Sequence, residues 1–307
     1  MILSASRRTD IPAFYSEWFF NRLKAGMLRA RNPYNYHQVY QIDLYPDDID
    51  CIVFWTKNAE PMLSKLNLLQ DYSYYFQYTI TPYPKAYEPN LDDLPHRIET
   101  FIKLSEKIGS DHIIWRYDPI FISDNIDLNF HLLMFEKLAQ SLANHTFRCI
   151  ISFIDLYNST KRNIRDLHIA AMDDRIKRSI AKELAPIAKH YNLEMQTCAE
   201  RIDLEDLGIS HGRCIDDKLI SRFTNKTFHA VKDPHQRAEC GCIKSFDIGV
   251  YNTCLTGCKY CYATRNHQTA LKNRAQHDPL SPFLIGNTAV GDQVRIKNKK
   301  NQTYISF

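Results

Sequence analysis

Short runs of β-branched and aromatic residues alternate with helix-period segments along most of the chain, and this alternation narrows the fold more than any other feature. The strand candidates are Ile2–Ser6, Val39–Ile42, Cys51–Thr56, Tyr75–Ile80, His112–Arg116, Arg148–Ile154, Leu193–Thr197 and Phe246–Tyr251. Between them, Tyr15, Phe19, Leu23 and Met27 recur at four-residue spacing on one face of a helix, with Gly26 near its end. Further helices are expected over Asp92–Ile108, stopped by Gly109, over Leu128–Ala143, and over Arg178–Tyr191 with a kink at Pro186. Strands separated by helices pair in parallel, because a parallel connection needs a crossover that a two-residue turn cannot supply. About eight such units fit a TIM-like (β/α) barrel, complete or partial, better than two domains; an open doubly wound sheet is the alternative. Residues 1–265 then make one domain with an irregular excursion at Ile202–Gln236, and residues 266–307 a polar tail or cover without a barrel helix or strand.

The charge balance excludes several classes. With 39 Lys+Arg against 35 Asp+Glu the chain is mildly basic rather than a polycation built for phosphate. Arg7 and Arg8 come too early for the apolar core of a signal peptide, and no apolar run approaches the ~20 residues of a membrane helix. A cytoplasmic protein without a membrane partner is expected. The absence of G-x-G-x-x-G and P-loop patterns disfavours a Rossmann dehydrogenase or a P-loop nucleotidase.

In a reducing compartment, nine cysteines point to metal or redox chemistry rather than disulfides. Cys51 and Cys149 sit alone in apolar runs and read as small core residues. The other seven follow residue 190, and three of them form a C-x3-C-x2-C loop, Cys254, Cys258 and Cys261, directly after the last strand candidate. Four thiolates ligate every iron of a closed cubane, so three suggest one iron left for another ligand. Zinc competes, but structural zinc favours paired C-x2-C knuckles, and only Cys258 and Cys261 have that spacing.

This loop, with Tyr260 just before its last cysteine, resembles the C-x3-C-x-aromatic-C loop of the radical SAM superfamily. The resemblance implies that Cys254, Cys258 and Cys261 hold a [4Fe-4S] cluster that chelates S-adenosylmethionine, that Tyr260 lies by the adenine, and that a reducing donor such as flavodoxin or ferredoxin delivers the electron releasing a 5′-deoxyadenosyl radical. In that superfamily the loop usually follows the first barrel strand; here it follows the last, which implies circular permutation. From Ser4-Ala5-Ser6-Arg7-Arg8-Thr9-Asp10-Ile11-Pro12 to Tyr262-Ala263 the chain also resembles a family of uncharacterised proteins with a radical-SAM-like cysteine cluster at the C-terminus. That family brings no substrate.

Cys198, Cys214, Cys240 and Cys242 make up a second thiol set within a cysteine-rich region, residues 198–261. Four thiols suit a closed iron–sulfur cluster or a structural zinc; the tight C-x-C at Cys240 and Cys242 favours an auxiliary [4Fe-4S] cluster. A structural staple for the excursion is the other reading.

Residues after the strands should face one mouth: Arg7, Arg8, Thr9 and Asp10; Trp55, Thr56, Lys57 and Asn58; Arg116 and Asp118. Gln77, Thr79 and Thr81 share one face of their strand and, with Ser152 and Glu200, are candidates to line the interior. In the permuted order the Arg7–Asp10 loop takes the place where the superfamily carries a Gly-Gly-Glu segment, and this chain has no Gly-Gly pair. The resemblance therefore implies that Asp10, with Arg7 or Arg8, pairs with the amino and carboxylate groups of S-adenosylmethionine; a helix cap is the other reading of Asp10. A different class of function, an iron–sulfur or zinc protein binding nucleic acid without radical chemistry, would use Arg295, Lys297, Lys299 and Lys300.

Overall fold

The computed structural model describes residues 1–298 apart from 225, 229 and 230. Its strands are β1 (Ile2–Ala5), β2 (Met27–Arg31), β3 (Gln38–Asp43), β4 (Cys51–Thr56), β5 (Tyr74–Thr79), β6 (Ile113–Ile120), β7 (Arg148–Phe153), β8 (Glu194–Thr197), β9 (Ser210–His211), β10 (Phe246–Asp247) and β11 (Gln293–Lys297). Eight of them form one sheet in the order β10-β1-β4-β5-β6-β7-β8-β9. Every pair in it is parallel. The architecture is therefore α/β, as expected from the alternation. Among the described residues no pairing joins the edge strands β9 and β10, so the sheet is open at that seam.

The helices are α1 (Ile11–Phe14), α2 (Ser16–Lys24), α3 (Glu60–Leu63), α4 (Leu94–Ile108), α5 (Leu128–Leu142), α6 (Asn158–Asn163), α7 (Asp174–His190), α8 (Asp217–Thr224) and α9 (His267–Arg274). Asp93, Asp127 and Asp173 each accept the backbone N–H three residues on and so start α4, α5 and α7. Gly109 at φ +91° ends α4, at the residue the sequence indicates. Helix α7 begins four residues before the expected Arg178, at its Asp173 cap, and continues past Pro186 to His190.

Three expectations need correction. Met27 continues the four-residue spacing of Tyr15, Phe19 and Leu23, but Gly26 at φ +71° ends the helix and Met27 opens β2. The candidate at Val39–Ile42 is a strand of another sheet: β3 pairs antiparallel with β2 and parallel with β11. The eighth place in the main sheet goes to β9, two polar residues with no apolar signal. The tail contains helix α9, and its strand β11 completes the small sheet; Arg295 and Lys297 lie on β11, while Lys299 and Lys300 lie outside the described residues.

Period-two alternation gives the main sheet two apolar faces. Leu3, Ile52, Phe54, Phe76, Ile113, Trp115, Cys149 and Ile151 pack with Phe101 and Leu104 of α4, Phe135 and Leu138 of α5, and Ile180 and Leu184 of α7. Burying a side chain of this size contributes roughly 1.5–3 kcal/mol, so this layer dominates stability. On the other face Ile2, Cys51, Val53, Tyr75, Ile114 and Ile150 are covered by Cys214, Ile215, Leu219, Ile220, Cys240, Cys242 and Ile243. The excursion and the residues that follow it to Ile243 thus cover the second face; the excursion itself brings Cys214, and Cys240 and Cys242 follow it. Cys51 and Cys149 are core residues, on opposite faces.

Candidate functional site

The last strand of the main sheet lies beside the first. Leu3 pairs with Phe246 and Ser4 with Asp247, so the loop leaving the carboxyl end of β10 stands next to the one leaving β1. Asp247 fixes this junction: its carboxylate accepts from Ser4 Oγ at 2.8 Å, Ser6 Oγ at 2.6 Å, and the backbone N–H groups of Arg7 and Gly249, each at 2.9 Å. Gly249 has no room for a side chain, since a Cβ there would fall 1.9 Å from Ser6 Oγ and 2.6 Å from Ser6 Cβ. In the cysteine loop Gly257 takes φ +75°, a conformation that favours glycine, and a Cβ would meet Asn90 Nδ2 at 2.8 Å.

Cys254, Cys258 and Cys261 are half-buried and close enough to one another for their charges to interact. Burial, then Asp10 and Cys261, pushes the Cys254 thiol up to about 12. Burial also raises Cys258, against which the Lys57 ammonium acts. Lys57 is therefore the cation that favours a thiolate on this loop. Its Nζ donates to Glu88 Oε1 at 2.7 Å and to Thr81 Oγ1 and Tyr260 Oη at 3.2 Å. Glu88 is fully buried and also accepts from Thr81 Oγ1 at 2.8 Å and from the Tyr260 hydroxyl. Arg97 approaches its other oxygen at 3.5 Å.

Tyr260 is held from both sides, by Glu88 at the hydroxyl and by Tyr83 and Phe121 around its ring, with centroids 6.0 and 5.8 Å away. Asp10 accepts from Ala13 N at 3.0 Å, Thr56 Oγ1 at 2.8 Å and Lys57 N at 2.7 Å. It is thus the cap of α1 and a clamp on the Lys57 backbone, beside Cys254. Burial, opposed by these donors, raises its pKa to about 6. Arg8 lies over the Tyr251 ring at 5.2 Å and 4.0 Å from Asp247.

Arg7 belongs as much to the second thiol set as to the loop. Its backbone carbonyl accepts from the Tyr262 hydroxyl at 2.8 Å, and its guanidinium reaches Ser245 Oγ at 3.2 Å. Burial works against its charge, but the fields of Cys242, Asp247 and Cys214 raise its pKa above the ordinary value. The second set itself forms a chain of sulfur contacts, Cys198 to Cys214, Cys214 to Cys242 and Cys242 to Cys240, with Cys198 Sγ and Cys214 Sγ 3.2 Å apart. The Cys242 contact lowers the Cys240 thiol to about 7. Polar hydrogens also point at sulfur: Arg116 Nη1 donates to Cys214 Sγ at 2.9 Å, Ile215 N to Cys242 Sγ at 3.4 Å, and the Cys242 backbone N–H to the Cys240 thiol.

Among the described residues no group of three or more Cys, His, Asp and Glu side chains is arranged to hold a metal ion. The fit to a metal centre rests on donor chemistry. Each thiol group has a buried or half-buried cation beside it, Lys57 for one and Arg7 and Arg116 for the other, and the second set has hydrogen bonds aimed at its sulfurs. Thiolate ligands for iron–sulfur clusters or zinc suit such surroundings.

Of the interior candidates, Gln77 and Ser152 join the second set's surroundings, through Arg116 and Asp118 respectively. Thr81 turns toward Glu88, and Glu200 accepts from Phe153 N at 2.8 Å and pairs with Lys177 at 3.0 Å. Sequence reasoning missed Glu88, Arg97, Asp247 and Tyr262. Glu88 lies in an irregular stretch with no pattern, whereas Asp247, inside a strand candidate and polar on an apolar run, was detectable.

No curated protein matches the chain. Over residues 2–263, which include all nine cysteines, the sequence matches the family model described as "Domain of unknown function (DUF1848)", and the chain belongs to that family.

Proposed function

We propose that this protein is a radical S-adenosylmethionine enzyme with an auxiliary iron–sulfur centre. The observation that carries the reading is the gathering of Cys254, Cys258 and Cys261 on a loop at the carboxyl end of a parallel strand, beside the first strand and under the Lys57 ammonium. The carboxyl ends of parallel strands are where α/β sheets build their sites. A [4Fe-4S] cluster on these thiolates would supply one electron to S-adenosylmethionine, breaking a carbon–sulfur bond to give methionine and a 5′-deoxyadenosyl radical. The place of β10 next to β1 supports a permuted relation to the superfamily's barrel.

The chain's own groups have definable tasks in this reading. Lys57 offsets thiolate charge at Cys258 and is held in place by Glu88 and, through its backbone, by Asp10. Glu88 fixes the Tyr260 ring, so that any aromatic contact with the cofactor is made by a pre-oriented side chain. Asp10 acts through Lys57 and the α1 cap rather than as a free carboxylate for the cofactor's amino group. Arg7 and Arg8 flank the same mouth from β1.

For the second set, zinc remains the competing metal, since four thiolates also suit a closed structural zinc site. The test is anaerobic reconstitution of the full chain with iron and sulfide, followed by metal analysis and a 5′-deoxyadenosine assay after reduction. Product that disappears in Cys254→Ala, Cys258→Ala and Cys261→Ala supports the reading. Product in any of these variants, or none in the iron-loaded chain, overturns it.

A further inference from the structure

Three side chains of the sheet's second face converge on one cysteine. Tyr75 and Gln77 alternate with Phe76 on β5, so both point to the face opposite the helices, and Arg116 lies on the neighbouring strand with the same orientation. Tyr75 Oη donates to the Cys214 carbonyl at 2.6 Å, Gln77 Nε2 donates to that same carbonyl at 3.0 Å, and Arg116 Nη1 donates to the Cys214 sulfur at 2.9 Å. Arg116 is itself locked. Asp118 takes its Nε at 3.1 Å and Nη2 at 2.6 Å, a two-pronged grip that leaves Nη1 for the sulfur and for Gln77 Oε1 at 3.1 Å. The guanidinium is buried, so its field at the sulfur is weakly screened.

We propose that Arg116 is a positioning residue that sets the reduction potential of an iron–sulfur cluster held by Cys198, Cys214, Cys240 and Cys242, with Asp118 as the counterweight that moderates it. The proposal rests on the auxiliary-cluster half of the reading above. A thiolate-ligated cluster gains negative charge on reduction, and the reduced state is favoured by a hydrogen bond and a positive charge at a ligand sulfur. The direction therefore follows from charge: Arg116 raises the potential and Asp118 lowers it. A purely structural arginine would have no such pair of opposed effects.

The experiment uses the full chain with Cys254, Cys258 and Cys261 changed to alanine, reconstituted anaerobically so that only the second set reports, with an electron paramagnetic resonance redox titration as readout. Arg116→Gln should favour the oxidised form by tenfold or more at a fixed potential, about 59 mV downward for a one-electron couple. Arg116→Lys should recover most of that loss, and Asp118→Asn should shift the balance the other way. Iron bound with the potential unmoved in Arg116→Gln, or moved in the same direction by both Arg116→Gln and Asp118→Asn, overturns the role of Arg116 alone. Should Arg116→Gln fail to hold iron, Asp118→Asn decides: an upward shift supports the proposal and no shift overturns it. A parent chain that takes up zinc or no metal at the second set overturns the auxiliary cluster as well.

Discussion

The Asp247 carboxylate accepts the Ser6 hydroxyl at 2.6 Å, joining the end of the last sheet strand to the end of the first across 241 residues of sequence. Three further donors end on the same carboxylate, so one side chain sets the relative height of the β1 loop and the cysteine loop. Asparagine there keeps only one acceptor oxygen. Asp247→Asn should cost roughly 1–3 kcal/mol in urea unfolding and reduce the iron held by the reconstituted protein. Stability and iron content equal to the parent's would show that the junction does not depend on this carboxylate.

Gly249 tests the same junction by size. The Ser6 side chain occupies the place of its Cβ and is too short to swing away. Gly249→Ala should destabilise by about 1–3 kcal/mol, as overpacking does in closely packed sites. An unchanged denaturation midpoint would mean that the loop moves freely relative to β1.

Much of this arrangement is legible in the sequence, and the rest fails for identifiable reasons. The central strands β4, β5 and β7 are read closely because each is an apolar run buried on both faces, the signature of a parallel sheet, whereas β6 runs four residues past its expected end at Arg116, so that Arg116 and Asp118 lie within it rather than after it. Val39–Ile42 has a strand's composition, but composition carries no information on which sheet a strand joins. Ser210–His211 is too short and polar to register, and the cover of the second face, residues 214–243, has only one short helix, α8, whose eight residues are too few to stand out among the charges around them. The seven clustered cysteines are visible as two groups, and the structure keeps that grouping. The partners that give each group its charge are partly legible: Lys57, Arg7 and Arg116 stand among the residues expected at the mouth, whereas Glu88 lies in an unpatterned loop.

Lys57 and Glu88 are coupled across 2.7 Å, with Glu88 almost wholly buried. Removing the lysine alone leaves a buried carboxylate with a weaker counter-charge in Arg97. Lys57→Met should therefore destabilise by about 3–5 kcal/mol, and Lys57→Met with Glu88→Gln by clearly less. Additive losses in the double variant would show that the pair is not an energetic unit.

His131 supplies a pH dependence away from the cysteines. It is fully buried, with Nδ1 2.9 Å from Tyr117 Oη and Nε2 2.8 Å from the Phe121 carbonyl, an arrangement that suits a neutral ring donating from Nε2. Burial lowers its pKa below the ordinary 6.5. The unfolded chain thus binds the proton first as pH falls, so the stability His131 contributes is complete above about 6.5 and declines below it, toward the depressed folded pKa. The melting temperature should fall from pH 7 to pH 5, with a shallower slope in His131→Gln. An equal slope in both would assign the dependence to other groups.

Reductive cleavage of S-adenosylmethionine at Cys254, Cys258 and Cys261 is tested by the 5′-deoxyadenosine formed per chain by the anaerobically reconstituted, reduced protein. Product should form together with about eight irons per chain, and product should be lost with about four irons retained when the three cysteines become alanine. Bound zinc and no 5′-deoxyadenosine would contradict it.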